Sequence, residues 1–184
     1  MQASCKSRII KWIFMAILIV TFLAFIVPIP MNQIYDAIEI KLDDPNYSVP
    51  CKVKVYGKYY MNLFTDDMFD GQIVISDYKF TNENMSKVYF SDEGWPLEYS
   101  YVAGNDTYGR PNRDTYFLGR FYSNPWFRQM AIIVYSDNQA NKNVGGKADG
   151  SWNERDGYCI IPLATNREEA LNILLENRII SSIP

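Results

Sequence analysis

The chain has no histidine. That excludes a Ser-His-Asp or Cys-His catalytic centre and His-containing zinc sites, and it removes the usual general base near neutral pH. Any chemistry must come from carboxylates, Tyr, Lys or an oxygen-ligated metal. Cysteine is nearly as scarce, at three residues, so a structural zinc site with four clustered ligands has no support. Basic excess is missing too. Lys6, Arg8 and Lys11 lie near the N-terminus, and all 21 acidic residues come later, so the remainder carries a net charge of −6. A phosphate-tracking surface would need the opposite sign, and no nucleic-acid partner is expected.

Charge is absent altogether from Trp12 through Tyr35. The dense part, Trp12 to Val27, reads WIFMAILIVTFLAFIV, and with Pro28 to Met31 it approaches the roughly 20 residues needed to cross a bilayer. A transmembrane helix over residues 12–31 is expected. Cations upstream, with Asp36 and Glu39 downstream, place the short N-terminus (1–11) in the cytoplasm. The expectation is a single-pass signal-anchor protein of the cell membrane, held by lipid through this helix and with its C-terminal part extracytoplasmic. A cleaved secretory signal is the rival reading, but no small-residue cleavage site follows the apolar run.

Beyond the helix, Ile34, Ile38 and Leu42 recur every four residues, a stripe that would continue the helix as a juxtamembrane stalk over residues 32–48. Alternation begins at Cys51-Lys52-Val53-Lys54-Val55-Tyr56, with apolar residues on one strand face and lysines on the other. Further strands are expected at Tyr59–Phe64, Gln72–Ser76, Lys87–Phe90, Leu97–Val102, Thr115–Tyr122, Arg128–Tyr135 and Tyr158–Leu163. Gly57 reads as a bend. Asp70-Gly71, Glu93-Gly94, Gly104-Asn105-Asp106, Asn124-Pro125 and Asp156-Gly157 read as turns. Ser136–Arg155 has no apolar period and reads as a long loop. Thr165-Asn166-Arg167-Glu168 is a capping-box pattern, followed by Ala170, Leu171, Ile173, Leu174 and Leu175 at helical spacing. The fold class is therefore α+β, mainly β: a transmembrane helix, one antiparallel sheet or sandwich-like domain over 49–184, and a C-terminal amphipathic helix packed on it.

Cys51 and Cys159 are a candidate disulfide. In the chain-entropy model a closed loop of about 100 residues would add about 4–5 kcal/mol. Two buried thiols on strands are the alternative. Asp66, Asp67, Asp70 and Asp77 only partly imitate a calcium loop, because Met68 occupies a ligand position, and a hairpin turn is the simpler reading. Asp66, Asp67, Asp70, Asp92, Glu93 and Glu98 could supply a carboxylate pair for glycosidase-type chemistry, but pairs are unavoidable among 21 acids. No catalytic residue, metal ligand or cofactor is assigned. Flat aromatic rings near turns make the better binding candidates, namely Trp95, Trp126 and Trp152, with Trp152 expected to be the most exposed.

The run from Tyr56 to Ile73, YGKYYMNLFTDDMFDGQI, together with Trp152 in a polar loop and the capped start Ala164-Thr165-Asn166-Arg167-Glu168-Glu169-Ala170, resembles small membrane-anchored proteins of Gram-positive bacteria. Those proteins are uncharacterised. The resemblance implies an extracytoplasmic β-rich domain and transfers no catalytic residue. The functional expectation is a non-catalytic binding or envelope-associated module whose partner is an envelope protein or glycan. The alternatives are a histidine-free surface enzyme acting on glycan or peptide, and an accessory subunit of a membrane complex.

Overall fold

The computed structural model describes residues 10–20, 22, 27–91, 93–105, 107–124, 127–136, 138 and 151–183. Helix α1, residues 10–20, is exposed along its length. Among the described residues no helix is long and apolar enough to cross a membrane. Residues 21 and 23–26 of the expected span lie outside the described set, and Val27 and Pro28 are not helical.

Among the described residues nine strands follow: β1 (Ile29–Lys41), β2 (Asp44–Tyr60), β3 (Met68–Ile75), β4 (Asn84–Met85), β5 (Val88–Tyr89), β6 (Trp95–Asn105), β7 (Pro111–Ser123), β8 (Met130–Val134) and β9 (Tyr158–Pro162). Helix α2 (Arg167–Glu176) ends the chain's regular structure. The strands form one antiparallel sheet in the order β4-β6-β7-β8-β9-β1-β2-β3-β5. Its two edge strands, β4 and β5, are joined by only Ser86 and Lys87. The sheet must therefore curl until β3 approaches β6, which gives a nearly closed barrel.

Side chains close that seam. Tyr99 on β6 donates its hydroxyl proton to the Ile73 carbonyl on β3 at 2.7 Å. The Gln72 amide donates to the Thr81 carbonyl at 2.7 Å and to the Glu83 carbonyl, while its oxygen accepts from the Met85 N–H. Gln72 is buried, so these bonds satisfy a polar group that would otherwise oppose folding.

Two apolar clusters lie on the two faces of the sheet. Val53, Val55, Tyr59, Phe69, Ile73, Tyr99 and Phe127 fill the barrel interior. Ile38, Ile40, Ile133, Cys159 and Ile161 face outward and are covered by Ala170, Leu171 and Leu174 of α2. Strands β8 and β9 serve both clusters, which is why they read as unbroken apolar runs. Arg167 locks α2 in place by donating to the Lys41 and Leu42 carbonyls at 2.7 and 2.8 Å.

Several sequence expectations are corrected here. Ile29–Met31, expected as the end of a helix, open β1, and residues 32–48, expected as a stalk, form the rest of β1 and the start of β2. A spacing of four suits a strand as well as a helix, since it is a multiple of two. Ile34 and Ile38 accordingly share a strand face, and Leu42, in the turn after β1, joins Ile38 in the outer cluster; α2 covers only this later part, leaving Ile34 64% exposed. Tyr59–Phe64 splits between the end of β2 and a loop. Asp70-Gly71 is not a turn but part of β3, where Gly71 sits opposite Gly57 on β2. At Gly57 a Cβ would collide with the Gly71 backbone, so this glycine marks a close approach of two strands and not a bend.

The disulfide is not formed. Cys51 pairs with Ala37, Cys159 with Ile40, and positions three apart on β1 point to opposite faces. Cys51 therefore belongs to the inner cluster and Cys159 to the outer one. Burial pushes the Cys159 thiol up, away from the reactive thiolate.

The α2 cap is shifted by one residue from expectation. Asn166 accepts from the Glu169 N–H at 3.0 Å, and the Glu169 carboxylate reaches back to the Thr165 N–H and hydroxyl at 2.7 and 2.9 Å. The Thr165 backbone N–H, first among these donors, holds the Glu169 carboxyl below its ordinary range. A depressed carboxylate stabilises the fold above its unfolded pKa of about 4.3, and the contribution disappears as pH falls through the folded value. Thermal melts of wild type and Glu169→Gln should differ at pH 7 and converge as pH falls through the folded value of Glu169; a gap that stays constant down the acid range would remove this role from the cap.

Candidate functional site

One end of the barrel carries a cleft of about 840 Å³. Three connections and the end of α2 build it. The β2–β3 loop supplies Thr65, Asp66 and Asp67; the β5–β6 turn supplies Phe90, Ser91 and Glu93; the end of β7 supplies Tyr122, Ser123 and Asn124; and α2 ends there with Glu176, Asn177 and Arg178. Four carboxylates thus face one guanidinium, with Phe90 and Tyr122 adding rings. Asp66, Glu93, Glu176 and Arg178 are exposed, so the cleft is wet and its charges are screened.

Each wall is fixed by local geometry. Asp67 accepts from the Tyr59 hydroxyl and, through its other oxygen, from the Asn62 N–H at 2.8 Å, while the Asn62 amide donates to the Asp66 carbonyl at 2.9 Å. These bonds pinch the loop at its base. Gly94 lies under Tyr122: a Cβ there would stand 2.7 Å from the ring. Burial raises the Tyr122 hydroxyl pKa, keeping it a neutral donor. The Gln129 amide donates to Glu176 at 2.7 Å, and its backbone N–H donates to the Asn124 side chain at 2.8 Å, tying the β7–β8 connection to α2.

Arg178 has the most telling backbone. Helix α2 ends in a Schellman motif, with the Arg178 N–H on the Leu175 carbonyl and the Ile179 N–H on the Leu174 carbonyl, both at 2.9 Å. That motif places Arg178 at φ 56°, where glycine is the usual occupant. Arg178→Gly should raise stability by about 1 kcal/mol in urea titrations while stripping the cleft of its cation. A destabilised variant would mean that the arginine stem contributes more packing than its strained backbone takes away.

The structure brings together Asp66, Asp67 and Glu93 from the acids named in the sequence, and separates the others. Asp70 pairs with Lys87 at 3.1 Å. Glu98 lies on β6, Asp77 in the turn after β3, and Asp92 outside the described residues. Because residues 68–75 are strand, the acids from Asp66 to Asp77 are strung along an extended chain, unlike the ligands of a calcium loop. No group of three acids or cysteines positioned to hold a metal occurs among the described residues.

The candidate tryptophans fare differently. Trp95 is half-buried and packs on Tyr89 with ring centroids 4.9 Å apart. Trp126 lies outside the described residues. Trp152, expected to be exposed, is instead half-buried against the outer cluster, and its ring N–H donates to the Tyr158 carbonyl at 3.1 Å. It lines a smaller cleft of about 460 Å³ with Lys41, Asp156 and Tyr158. Most of the long Ser136–Arg155 segment lies outside the described residues.

Sequence reading missed Glu176 and Arg178, although a non-glycine residue just past the helix end was the available signal. It also missed Glu39, which is fully buried and accepts from the Tyr47 and Tyr78 hydroxyls at 2.7 and 3.2 Å. Burial first, then Glu39, pushes both phenols up. No family model, curated protein or solved structure matches this chain.

Proposed function

We propose that this chain is a single-pass, membrane-anchored module whose β-barrel stands outside the cytoplasm and binds a polar envelope component in the cleft at the end of the barrel. The cleft carries this reading. Exposed carboxylates can accept from hydroxyl and ammonium groups, Asn124 and the Tyr122 hydroxyl add directional hydrogen bonds, and the Phe90 and Tyr122 rings offer flat apolar faces. That mixture suits an amino-sugar glycan better than an apolar ligand. The charge-free run from Trp12 to Val27, with cations before it, supports the anchor.

A carboxylate-based glycan hydrolase is the second reading, favoured by Asp66, Asp67 and Glu93 sharing one cleft. Against it, Asp66 and Glu93 lie open to water, whereas a general acid is best held protonated in a dry pocket. Titrating a soluble amino-sugar oligosaccharide into the reconstituted full chain separates the two. Saturable binding weakened at least about tenfold by Asp66→Asn plus Glu93→Gln supports a binding site. Cleavage of the oligosaccharide that those substitutions abolish supports the enzyme. Unchanged binding in the double variant removes the cleft from both. Protease added to intact cells should digest residues 30–184; full protection would overturn the topology.

A further inference from the structure

The cleft and the chain's entry point share one end of the barrel. Ile29, the first residue of β1, pairs with Tyr59, the penultimate residue of β2, so the segment arriving from Val27 and Pro28 meets the barrel where the β2–β3 loop leaves it. At the tip of that loop stand Leu63, 64% exposed, and Phe64, 93% exposed. An adjacent pair of large apolar side chains in water is unfavourable by roughly 25 cal/mol per Å² of apolar surface. The loop does not bury them, because the bonds from Asn62 to Asp66 and Asp67 close its base and leave residues 63–65 projecting.

We propose that Leu63 and Phe64 seat in the interfacial layer of the bilayer that holds the N-terminal apolar run, turning the acidic cleft towards the membrane surface. This inference rests on the anchored reading above. Continuity of the chain selects the occupant. Only Pro28 separates Ile29 from Val27, the last residue of the apolar run, and from Tyr59 the tip is five residues away, a span of at most about 17 Å. A domain tethered that closely keeps this end beside the headgroups, where aromatic side chains partition well. Exposure alone would not discriminate, since Tyr108 is 84% exposed. Tyr108, however, lies in the β6–β7 turn at the opposite end of the barrel, because β6 starts at the cleft and runs away from it. Asp67 is occupied by Tyr59 and Asn62, so it can approach the surface with its charge already hydrogen-bonded.

The test uses full-length chain reconstituted in phosphatidylcholine vesicles, with Cys5→Ser and an environment-sensitive fluorophore attached at Phe64→Cys or, separately, at Tyr108→Cys. The position-64 reporter should shift to the blue, and lipids carrying a nitroxide near the headgroup should quench about half its emission, while the position-108 reporter stays in water and unquenched. If the chain floats with the vesicles but position 64 reports water, the seating is wrong and the anchor stands. If the chain does not float, anchor and seating both fail. A blue shift that persists in detergent and grows with protein concentration assigns the tip to a second copy of the chain, which also overturns the proposal.

Discussion

Phe127→Ala should lower stability by about 3–5 kcal/mol and disturb the cleft at the same time. Phe127 is 1% exposed and stands at the centre of the barrel's aromatic cluster, with ring centroids 5.2 Å from Phe69, 5.4 Å from Phe90, 5.9 Å from Phe121 and 6.2 Å from Tyr59. Most of these contacts are edge-on, the arrangement aromatic quadrupoles favour. The backbone is held at φ 55°, and the Phe127 N–H bonds to the Asn124 carbonyl. A strained backbone is tolerated here because the ring fills the interior. Alanine would keep the strain and lose the filling, leaving a cavity bordered by Phe90, which lines the cleft. Phe127→Leu retains much of the volume and should lose clearly less. Urea titration of the three proteins checks the order; a loss below about 1 kcal/mol for alanine would mean that the cluster is not packed around this ring.

That cluster also shows what the sequence made legible. Alternation in residues 51–56 correctly placed Val53 and Val55 inside and Lys52 and Lys54 outside, because a half-buried strand writes its environment into every second residue. The runs at β8 and β9 were readable because both of their faces are buried, and α2 because its apolar residues recur at helical spacing. Ile34, Ile38 and Leu42 were misread because their spacing satisfies two periods at once. The cleft was only partly legible. Asp66, Asp67 and Glu93 stood out as acids near turns, but Glu176 and Arg178 join them through strand order, which brings four distant chain segments to one barrel end. No local pattern encodes that meeting. Asn138 shows the same limit: its amide donates to the Phe117 and Leu118 carbonyls where β7 carries an extra residue, an arrangement that exists only once β6 and β7 pair with that irregularity.

The residue beside that irregularity should be the least replaceable glycine of the sheet. Gly119 pairs with Leu97 on β6 and with Val134 on β8, and it sits at φ 155°, a conformation that side-chain-bearing residues avoid. Between Leu97 and Glu98 the partner changes from Gly119 to Phe117, so Leu118 is the additional residue and β7 bends there. The bend presses β7 onto β8 so closely that a Cβ on Gly119 would occupy the space of the Ile133 carbonyl oxygen. Backbone on both sides leaves nothing flexible to yield. Gly119→Ala should therefore destabilise by about 3–5 kcal/mol, combining backbone strain with overpacking, enough to leave a marginal domain largely unfolded at 37 °C. Gly109→Ala is the matched control, because φ is 74° there but nothing lies within 4 Å of the added carbon. Its loss should stay near 1–2 kcal/mol, roughly the conformational part alone. The difference between the two variants isolates the close approach of β7 to β8. Equal losses would contradict the pairing that places Ile133 there, and with it the curl that brings Tyr122 and Asn124 to the cleft.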